Sequence, residues 1–371
     1  MKKVMLVFGT RPEAIKMCPL VLELNKRPDL ECIVCLTGQH REMLDQVMDI
    51  FKIRAQYDLN IMKPGQSLTD ITTYVMKEIE KVLESEKPDI VLVHGDTTTS
   101  FAAALASFYH QIPVGHVEAG LRTYDRYSPF PEEMNRRLTG QIAEYHFSPT
   151  KNNKQNLEKE HITDHIYVTG NTVIDAFQTT VRENYQFHDH TLQDVDFTSH
   201  RCVLITAHRR ENWGRPLEQI CEAIRYLAER YPEAMFIYPV HLNPVVQKMA
   251  RDVLEGIPNV FLISPIDVED MHNAMNRSFL VMTDSGGLQE EAPAFGVPVL
   301  VLRTETERPE AVEAGTVKVV GVKKEDIIRE AVLLFDDSEE YEKMAKAVNP
   351  YGDGHASERI ADILLTGRTE V

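Results

Sequence analysis

The sequence predicts an α/β protein that is built from two parallel-sheet domains. Short β-branched runs alternate with amphipathic segments of helical length, which is typical of βαβ units around a parallel sheet. The pattern starts at Val4 and again at Cys202, and a polar stretch interrupts it between them. The chain has 371 residues, and chains of this length usually fold into more than one domain, each with its own hydrophobic core. We therefore expect two Rossmann-like domains, residues 1–170 and 171–354, facing a central cleft.

The predicted strands divide between the two halves. The first half contains VMLVF, CIVCL, DIVLVHGD, IPVGHVEA, YHFSPT and HIYVTGN, and the second contains CVLITAH, MFIYPVH, VFLIS, FLVMTD and VPVLVLR. Ser67 and Asp70 form an S-x-x-D capping pair at the start of a long helix. Because open α/β sheets bind ligands outside the carboxyl ends of their strands, the functional residues are expected there.

Composition excludes several classes of protein. Hydrophobic residues make up 43% and charged residues 26%, an ordinary globular balance. The net charge of −17 argues against a nucleic-acid or anionic-membrane partner. The amino-terminal apolar run, Val4 to Phe8, is too short for a signal peptide or a membrane span, so we expect a cytoplasmic protein. The five cysteines fit reduced, mostly buried thiols, and no metal site is expected.

The loop after the first strand is a candidate anion site. Gly9 permits a tight turn, Pro12 suits the first helical position, and Arg11 and Lys16 add positive charge. The alternative is that both cations are solvated surface residues. No G-x-G-x-x-G follows any strand, so the sequence gives no dinucleotide fingerprint and no cofactor is expected.

Carboxylates follow two strands of the first half. Asp96 ends one strand and Glu118 ends the next, so both should emerge at the same edge of the sheet and share a pocket. The alternative is that Asp96 caps the following helix and that Glu118 is a charged residue of a loop. Glu132 and Glu133 begin a later helix, where Arg136 lies one turn on. Complementarity to the helix dipole would also explain these two glutamates.

Two segments of the second half suit a nucleotide diphosphate. His208 and two arginines end one strand, although a structural histidine is an alternative. Ser285, Gly286 and Gly287 lie between a strand and a helix, where backbone N–H groups can approach a phosphate.

Two further side chains extend that ligand site. Glu291, one to two turns into the helix, could accept both hydroxyls of a ribose. Arg308 precedes a Pro-initiated helix and is either another anion contact or a surface arginine.

Together, the segments GTRPEAIK, GQHREMLDQV, HGDTTTS, GHVEAGLRTYDRYSPFPEEMNRRLTG, GNTVIDA, AHRREN, YPVHLNP, TDSGGLQEEAP and ERPEAVEAG resemble the non-hydrolysing UDP-N-acetylglucosamine 2-epimerases of bacteria. The resemblance runs from Lys3 to about Leu365. It implies a glycosyltransferase-B-like fold, a homodimer, and a last helix, about 355–367, that crosses back to the first domain.

The resemblance also implies roles for individual residues. The catalytic groups would be Asp96, Glu118, Glu132 and His208. The substrate contacts would be Arg11, Lys16, Arg136, Ile266, Met271, Ser285, Gly286, Gly287, Glu291 and Arg308. Met271 stands where an aromatic residue commonly stacks on uracil, and Ile266 would meet the base through its backbone. A second, activating substrate molecule would be held by Gln39, Arg41, Gln66 and His241. Because Gly65 and Glu42 replace an arginine and a glutamine of some relatives, we expect activation to require more substrate.

The implied reaction is the reversible conversion of UDP-N-acetylglucosamine to UDP-N-acetylmannosamine through loss and return of UDP, with a glycal intermediate. Its product would supply cell-surface polysaccharide. Such a route requires cationic and N–H groups for the diphosphate and more than one carboxyl group for the protons, and the sequence offers both. The alternatives are a UDP-sugar glycosyltransferase of the same fold, a hydrolysing 2-epimerase, and a nucleotide-sugar sensor without turnover.

Overall fold

The computed structural model describes residues 1–38, 41–63 and 65–367, without the side chains of residues 41 and 42. The chain divides into two compact units. Unit 1 comprises Met1–Thr179 and Tyr351–Val371, and unit 2 comprises Thr180–Pro350. These junctions differ from the expected limits of 170 and 354. Near these junctions, Gln178 donates a hydrogen bond of 2.6 Å to the carbonyl of Gly354, and both residues belong to unit 1.

Unit 1 contains a parallel sheet of seven strands in the order β3-β2-β1-β4-β5-β6-β7. The strands are β1 (Lys2–Phe8), β2 (Leu30–Leu36), β3 (Tyr57–Asp58), β4 (Ile90–His94), β5 (Val114–Val117), β6 (Tyr145–Ser148) and β7 (Ile166–Val168). The two central strands, β1 and β4, are continuous apolar runs that are buried along most of their length. Burial on both faces explains why these strands show no alternation of polar and apolar residues.

Helices connect the strands of unit 1. They are α1 (Arg11–Asn25), α2 (Arg41–Ile50), α3 (Leu68–Glu86), α4 (Thr98–Tyr109), α5 (Glu132–Ile142), α6 (Lys151–Lys159) and α7 (Thr172–Thr180). Ser67 caps α3 and forms a capping box with Asp70, as the sequence predicted.

Unit 2 contains a parallel sheet of six strands in the order β10-β9-β8-β11-β12-β13. The strands are β8 (Cys202–Thr206), β9 (Met235–Pro239), β10 (Val260–Ile263), β11 (Leu280–Thr283), β12 (Val299–Val301) and β13 (Val317–Val319). Sequence analysis identified the first five but not β13. That strand has three residues, and Lys318 at its centre is exposed, so it gives no apolar run.

The helices of unit 2 are α8 (His190–Gln193), α9 (Arg215–Arg230), α10 (Pro244–Leu254), α11 (Val268–Asn276), α12 (Gly286–Glu291), α13 (Pro309–Ala314), α14 (Lys324–Asp336) and α15 (Ser338–Ala345). The apolar faces of α9 and α14 pack with strands β8 and β9 in one core. None of the helices in the described ranges is both long and apolar enough to cross a bilayer.

Each sheet has a pair of neighbouring strands that are not consecutive in the chain. In unit 1 the pair is β1 and β4, and in unit 2 it is β8 and β11. Loops at the carboxyl ends of such a pair diverge to opposite sides and leave a crevice for a ligand. The predicted fold of two parallel α/β sheets is therefore confirmed, and each sheet has the topology that favours a ligand site at that edge.

A last helix, α16 (Ala356–Thr366), packs on α1 in unit 1. Its N-cap residue, His355, makes no side-chain cap hydrogen bond. Instead, the carboxylate of Asp175 accepts hydrogen bonds from the backbone N–H groups of Ser357, at 2.6 Å, and Ala356, at 3.2 Å. Asp175 is buried and belongs to α7, so a residue far away in the chain satisfies the free N–H groups of this helix.

We predict that Asp175→Ala lowers the free energy of unfolding of unit 1 by roughly 1–3 kcal/mol, because two buried N–H groups lose their acceptor. Asp175→Asn should lower this free energy less, because the amide oxygen can still accept a hydrogen bond. The measurements are the thermal midpoint and hydrogen exchange of the α16 amides. Asp164→Ala is the control, because Asp164 is exposed. Unchanged exchange in α16 for Asp175→Ala would contradict the prediction.

Candidate active site

A buried carboxylate organises the first loop of unit 1. Glu13 is 2% exposed, and its Oε2 accepts hydrogen bonds from the backbone N–H groups of Gly9, at 2.9 Å, and Thr10, at 2.8 Å. Its Oε1 accepts from the hydroxyls of Thr97, at 2.6 Å, and Ser100, at 2.9 Å. One side chain thereby ties the start of α1 to the start of α4, next to the ends of β1 and β4.

Asp96 lies between the end of β4 and the start of α4. Its carboxylate forms an ion pair with the guanidinium of Arg136, which α5 supplies. The neighbouring Asn135 donates a hydrogen bond of 2.9 Å to the backbone carbonyl of Asp96. Two consecutive residues of α5 therefore hold both the side chain and the backbone of Asp96.

Glu118 follows β5, the strand next to β4, and forms an ion pair with Lys16 of α1. Asn171 donates a hydrogen bond of 3.2 Å to the same carboxylate oxygen. The backbone of Glu118 has a φ of +64°, in the left-handed region that residues with a Cβ rarely occupy. Such strain concentrates at functional sites. The structure therefore brings Glu118 and Lys16 together, which sequence analysis had assigned separately.

Two buried histidines support these carboxylates. His116 donates from Nε2 to the carbonyl of Gly95, at 2.7 Å, and so holds the turn between β4 and Asp96. Burial lowers the pKa of His116 to about 3, so this ring is neutral. His94 lies with its Nε2 3.7 Å from the carboxylate of Glu118, and burial lowers its pKa although that carboxylate raises it.

The two glutamates at the start of α5 have different surroundings. Glu133 is fully buried and accepts hydrogen bonds from the backbone N–H groups of Thr123, at 3.0 Å, and Tyr124, at 3.2 Å. It therefore positions the preceding loop. Glu132, the predicted acid/base group, is half-buried and is the first residue of α5. Arg11 is half-buried at the first position of α1.

In unit 2, the loops after β8 and β11 meet around Asp284, which is fully buried. Its Oδ2 accepts hydrogen bonds from the backbone N–H groups of His208 and Arg209, both at 2.8 Å, and from the side chain of Asn212, at 3.0 Å. Its Oδ1 lies 3.4 Å from Nδ1 of His208. One carboxylate thus holds the backbone of His208 and lies close to its ring.

The ring of His241 stacks on the ring of His208. The two rings are stacked with their centroids 5.3 Å apart and their planes at 8°. Partial burial lowers the pKa of His208, while the charge of Asp284 raises it. His241 is exposed and follows β9, the strand beside β8.

The Ser285-Gly286-Gly287 segment joins β11 to α12, with Ser285 as the N-cap residue. The guanidinium of Arg308 passes directly over Gly286, since a Cβ added there would lie 3.0 Å from its central carbon. Glu290 holds that guanidinium through a hydrogen bond of 2.8 Å from Nε, and Glu307 accepts from Nη1 at 2.9 Å. A side chain at this position would crowd the guanidinium, so the glycine allows the arginine to lie close to the backbone of this loop.

Glu291 lies at the end of α12, near Gly287, where an added Cβ would be 3.0 Å from its Oε1. Its carboxylate is 3.5 Å from Nε2 of the buried His272, whose Nδ1 hydrogen bonds with the hydroxyl of Thr180 at 2.8 Å. Met271 precedes this histidine on α11 and is half-buried. Ile266 is buried just before the same helix.

The predicted activator residues are distributed between the units. Gln66 lies in unit 1, where its amide accepts from the backbone N–H of Lys63, at 2.6 Å, and donates to the carbonyl of Ile61, at 3.0 Å. His241 belongs to unit 2. Gln39 and the side chain of Arg41 lie outside the described residues.

Sequence analysis missed several polar residues that support the predicted site: Glu13, His94, Asn171, Asp284 and His272. Each contacts a predicted residue or the loop that carries one. Their position at a strand end or in a quoted motif was the available signal for four of them. His272 gave no such signal, because it lies within an amphipathic helix and its contact with Glu291 depends on packing.

Two groups in the described ranges bring three metal-ligand atoms within 4.8 Å of one another. One consists of Glu80, Glu84 and His110, and the other of His188, Asp267 and Asp270. Neither contains a residue of the predicted site. In the second group, the carboxylate of Asp270 already accepts three hydrogen bonds from Tyr185, His188 and Asp189.

Comparison with known proteins identifies the family of the chain. A family model described as UDP-N-acetylglucosamine 2-epimerase matches residues 22–365. The UDP-N-acetylglucosamine 2-epimerase of Bacillus subtilis is 55% identical over 98% of this chain and 95% of its own. The crystal structure of the Neisseria meningitidis UDP-GlcNAc 2-epimerase bound to UDP-GlcNAc is 52% identical, covers 98% of this chain and 99% of that one, and has a TM-score of 0.89.

A more distant structure bears on the fold alone. The glycotransferase of kitacinnamycin is 13% identical, covers 98% of both chains and has a TM-score of 0.66, so the glycosyltransferase-type fold is shared. The family match spans most of the chain, and the relatives cover almost all of it. This chain belongs to the UDP-N-acetylglucosamine 2-epimerase family.

Proposed function

We propose that the chain is a non-hydrolysing epimerase that interconverts UDP-N-acetylglucosamine and UDP-N-acetylmannosamine by eliminating and re-adding UDP. One observation carries the mechanism: two carboxylates follow neighbouring strands of unit 1, and each is paired with a cation. Full-length relatives at 50–59% identity support the activity itself.

The chemistry explains why several carboxylates are required. In the first step a base removes the proton from carbon 2, the carbon 1–oxygen bond breaks, and its electron pair leaves with UDP. A glycal with a double bond between these carbons remains. A proton then returns to carbon 2 from the opposite face, and UDP adds back to carbon 1. Proton transfer on two faces requires more than one group, and Asp96, Glu118 and Glu132 are the proposed set.

Unit 2 supplies the proposed UDP site. The backbone N–H groups of Gly286 and Gly287 and the side chain of Ser285, together with Arg308, would hold the diphosphate. The N–H of Ser285 itself donates to the hydroxyl of Thr283, at 2.9 Å. His208 would stabilise the negative charge that develops on the leaving diphosphate. Glu291 would accept from the ribose hydroxyls, with Ile266 and Met271 beside the base. In unit 1, Arg11, Lys16 and Arg136 are the proposed cationic contacts.

A UDP-sugar glycosyltransferase is the second candidate, favoured only by the shared fold of a distant glycotransferase. Its reaction requires one base and an acceptor site. The additional carboxylate–cation pair in unit 1 favours epimerisation instead. A hydrolysing epimerase and a sensor without turnover are distinguished from the proposal by their products.

Three further properties belong to the proposal. The chain would act as a homodimer in the cytoplasm, where its five free cysteines stay reduced. A second substrate molecule would activate it through Gln39, Arg41, Gln66 and His241. Because His241 is exposed and stacks on His208, a second molecule that contacts His241 would influence the imidazole ring of His208.

We predict that the purified protein, incubated with UDP-N-acetylglucosamine in deuterated water, forms UDP-N-acetylmannosamine with deuterium at carbon 2. The abstracted proton exchanges with solvent before it returns. Proton NMR of the mixture, without NAD or an acceptor, measures this. Retention of the original hydrogen would contradict the elimination route, free N-acetylmannosamine would identify the hydrolysing alternative, and no turnover would favour the sensor.

We predict that Asp96→Asn and Glu118→Gln each lower kcat by at least ~10²-fold, because each removes a proton-transfer group. UDP affinity, measured by calorimetry, should change little. Glu144→Gln is the matched control, since Glu144 is exposed and precedes β6 at the opposite edge of the same sheet. A rate within a few-fold of the parent for both variants would exclude these carboxylates from the chemistry.

We predict that Arg308→Ala weakens UDP binding by roughly 10- to 100-fold, the effect of losing a charge-assisted hydrogen bond to phosphate. Because UDP is present before and after the reaction, kcat should fall much less. Arg329→Ala is the control, because Arg329 also contacts two carboxylates, of Asp326 and Glu330, but lies on the exposed surface of α14. Unchanged UDP affinity in Arg308→Ala would contradict its assignment.

A further inference from the structure

One oxygen of the buried Asp284 is unusual among the polar atoms of unit 2. Its Oδ2 accepts three hydrogen bonds, as described above, whereas its Oδ1 has no hydrogen-bond partner within the described part of the chain. Nδ1 of His208 lies 3.4 Å from this oxygen. A buried carboxylate oxygen without a donor is costly, so this geometry favours a proton on Nδ1 that is shared with Oδ1.

We infer that Asp284 is a positioning residue that sets the tautomer of His208. The proton is held on Nδ1, and Nε2 is left for the ligand. This inference rests on the proposed function only for the identity of that ligand, the leaving diphosphate. A carboxylate that binds the distal nitrogen of a histidine also stabilises the charged ring. Before the diphosphate departs, Nε2 takes up a proton from solvent, to which the partly exposed ring is open, and the charged ring then donates this N–H to the developing negative charge.

The surroundings of the ring leave Asp284 as the group that controls it. His241 stacks on one face, Arg209 is the next residue in the chain, and both disfavour a positive charge on His208. Asp284 is the carboxylate that opposes them. The loop is also held by Trp213, whose Nε1 donates to the carbonyl of His208 at 3.2 Å. The backbone position of His208 therefore depends on several groups, whereas the protonation of its Nδ1 depends on Asp284.

The hydrogen bonds to Oδ2 make Asp284→Asn a specific probe. Three N–H donors point at that position, so the amide oxygen of an asparagine must occupy it. The amide NH₂ then takes the place of Oδ1 and faces Nδ1. An NH₂ group can only donate, so it forces Nδ1 to become the acceptor and moves the proton to Nε2. The substitution reverses the tautomer while the loop keeps its three hydrogen bonds.

The experiment is ¹⁵N NMR of the full chain with ¹⁵N-labelled histidine and no ligand, with the His208 signals identified by their loss in His208→Gln. We expect the Nδ1–H tautomer in the wild type and the Nε2–H tautomer in Asp284→Asn. The pKa of His208 should also fall in the variant, because the ring loses a neighbouring negative charge. We expect kcat to fall by about 10²- to 10³-fold, because a ring without the neighbouring carboxylate binds the second proton less readily, with KM within a few-fold.

Asn212→Ala is the matched control. Asn212 donates to Oδ2 of Asp284 and to the carbonyl of Leu302, but it does not contact the ring. This variant should lower the thermal midpoint and keep the Nδ1–H tautomer. An Nε2–H tautomer in the wild type would overturn the inference, even if Asp284→Asn failed to fold. The same tautomer in the parent and in Asp284→Asn would also overturn it. Because these spectra need no substrate, they are independent of whether the proposed reaction is correct.

Discussion

In each unit a buried carboxylate accepts hydrogen bonds from the loop that follows the first strand of the sheet. Glu13 does this in unit 1 for the backbone of Gly9 and Thr10, and Asp284 does it in unit 2 for the backbone of His208 and Arg209. Hydrogen bonds to a buried carboxylate are strong and costly to break, so the backbone N–H donors hold each loop in place. The residues proposed to act on the substrate depend on these two loops.

The two carboxylates also connect neighbouring strands. Glu13 reaches from α1 to the hydroxyls before and within α4, and Asp284 reaches from the end of β11 to the loop after β8. Both connections lie where adjacent strands are not consecutive in the chain. At such a position the loops leave the sheet in opposite directions, and a polar bridge between them determines the shape of the crevice.

The charges of the site are arranged in pairs within a strongly acidic protein. Asp96 contacts Arg136, Glu118 contacts Lys16, and in unit 2 Arg308 contacts Glu290 and Glu307. Cations so placed can neutralise phosphates or orient carboxylates in a protein whose net charge is −17. The ion pairs also explain how side chains that sequence analysis treated one by one act together.

Sequence alone determined the architecture and the edge of each sheet where the proposed site residues lie. Apolar runs of strand length and the alternation with helices specify parallel sheets, and parallel sheets bring Asp96 and Glu118 to one edge whatever the details of packing. The S-x-x-D pattern likewise specified the start of α3, because capping is local. The strand β13 and the partners of the site residues were not predictable in this way. Asp175 caps a helix that begins 181 positions later, Asp284 orients His208, and His272 contacts Glu291. These contacts join residues far apart in the chain, so only the packing of helices and strands against one another decided them.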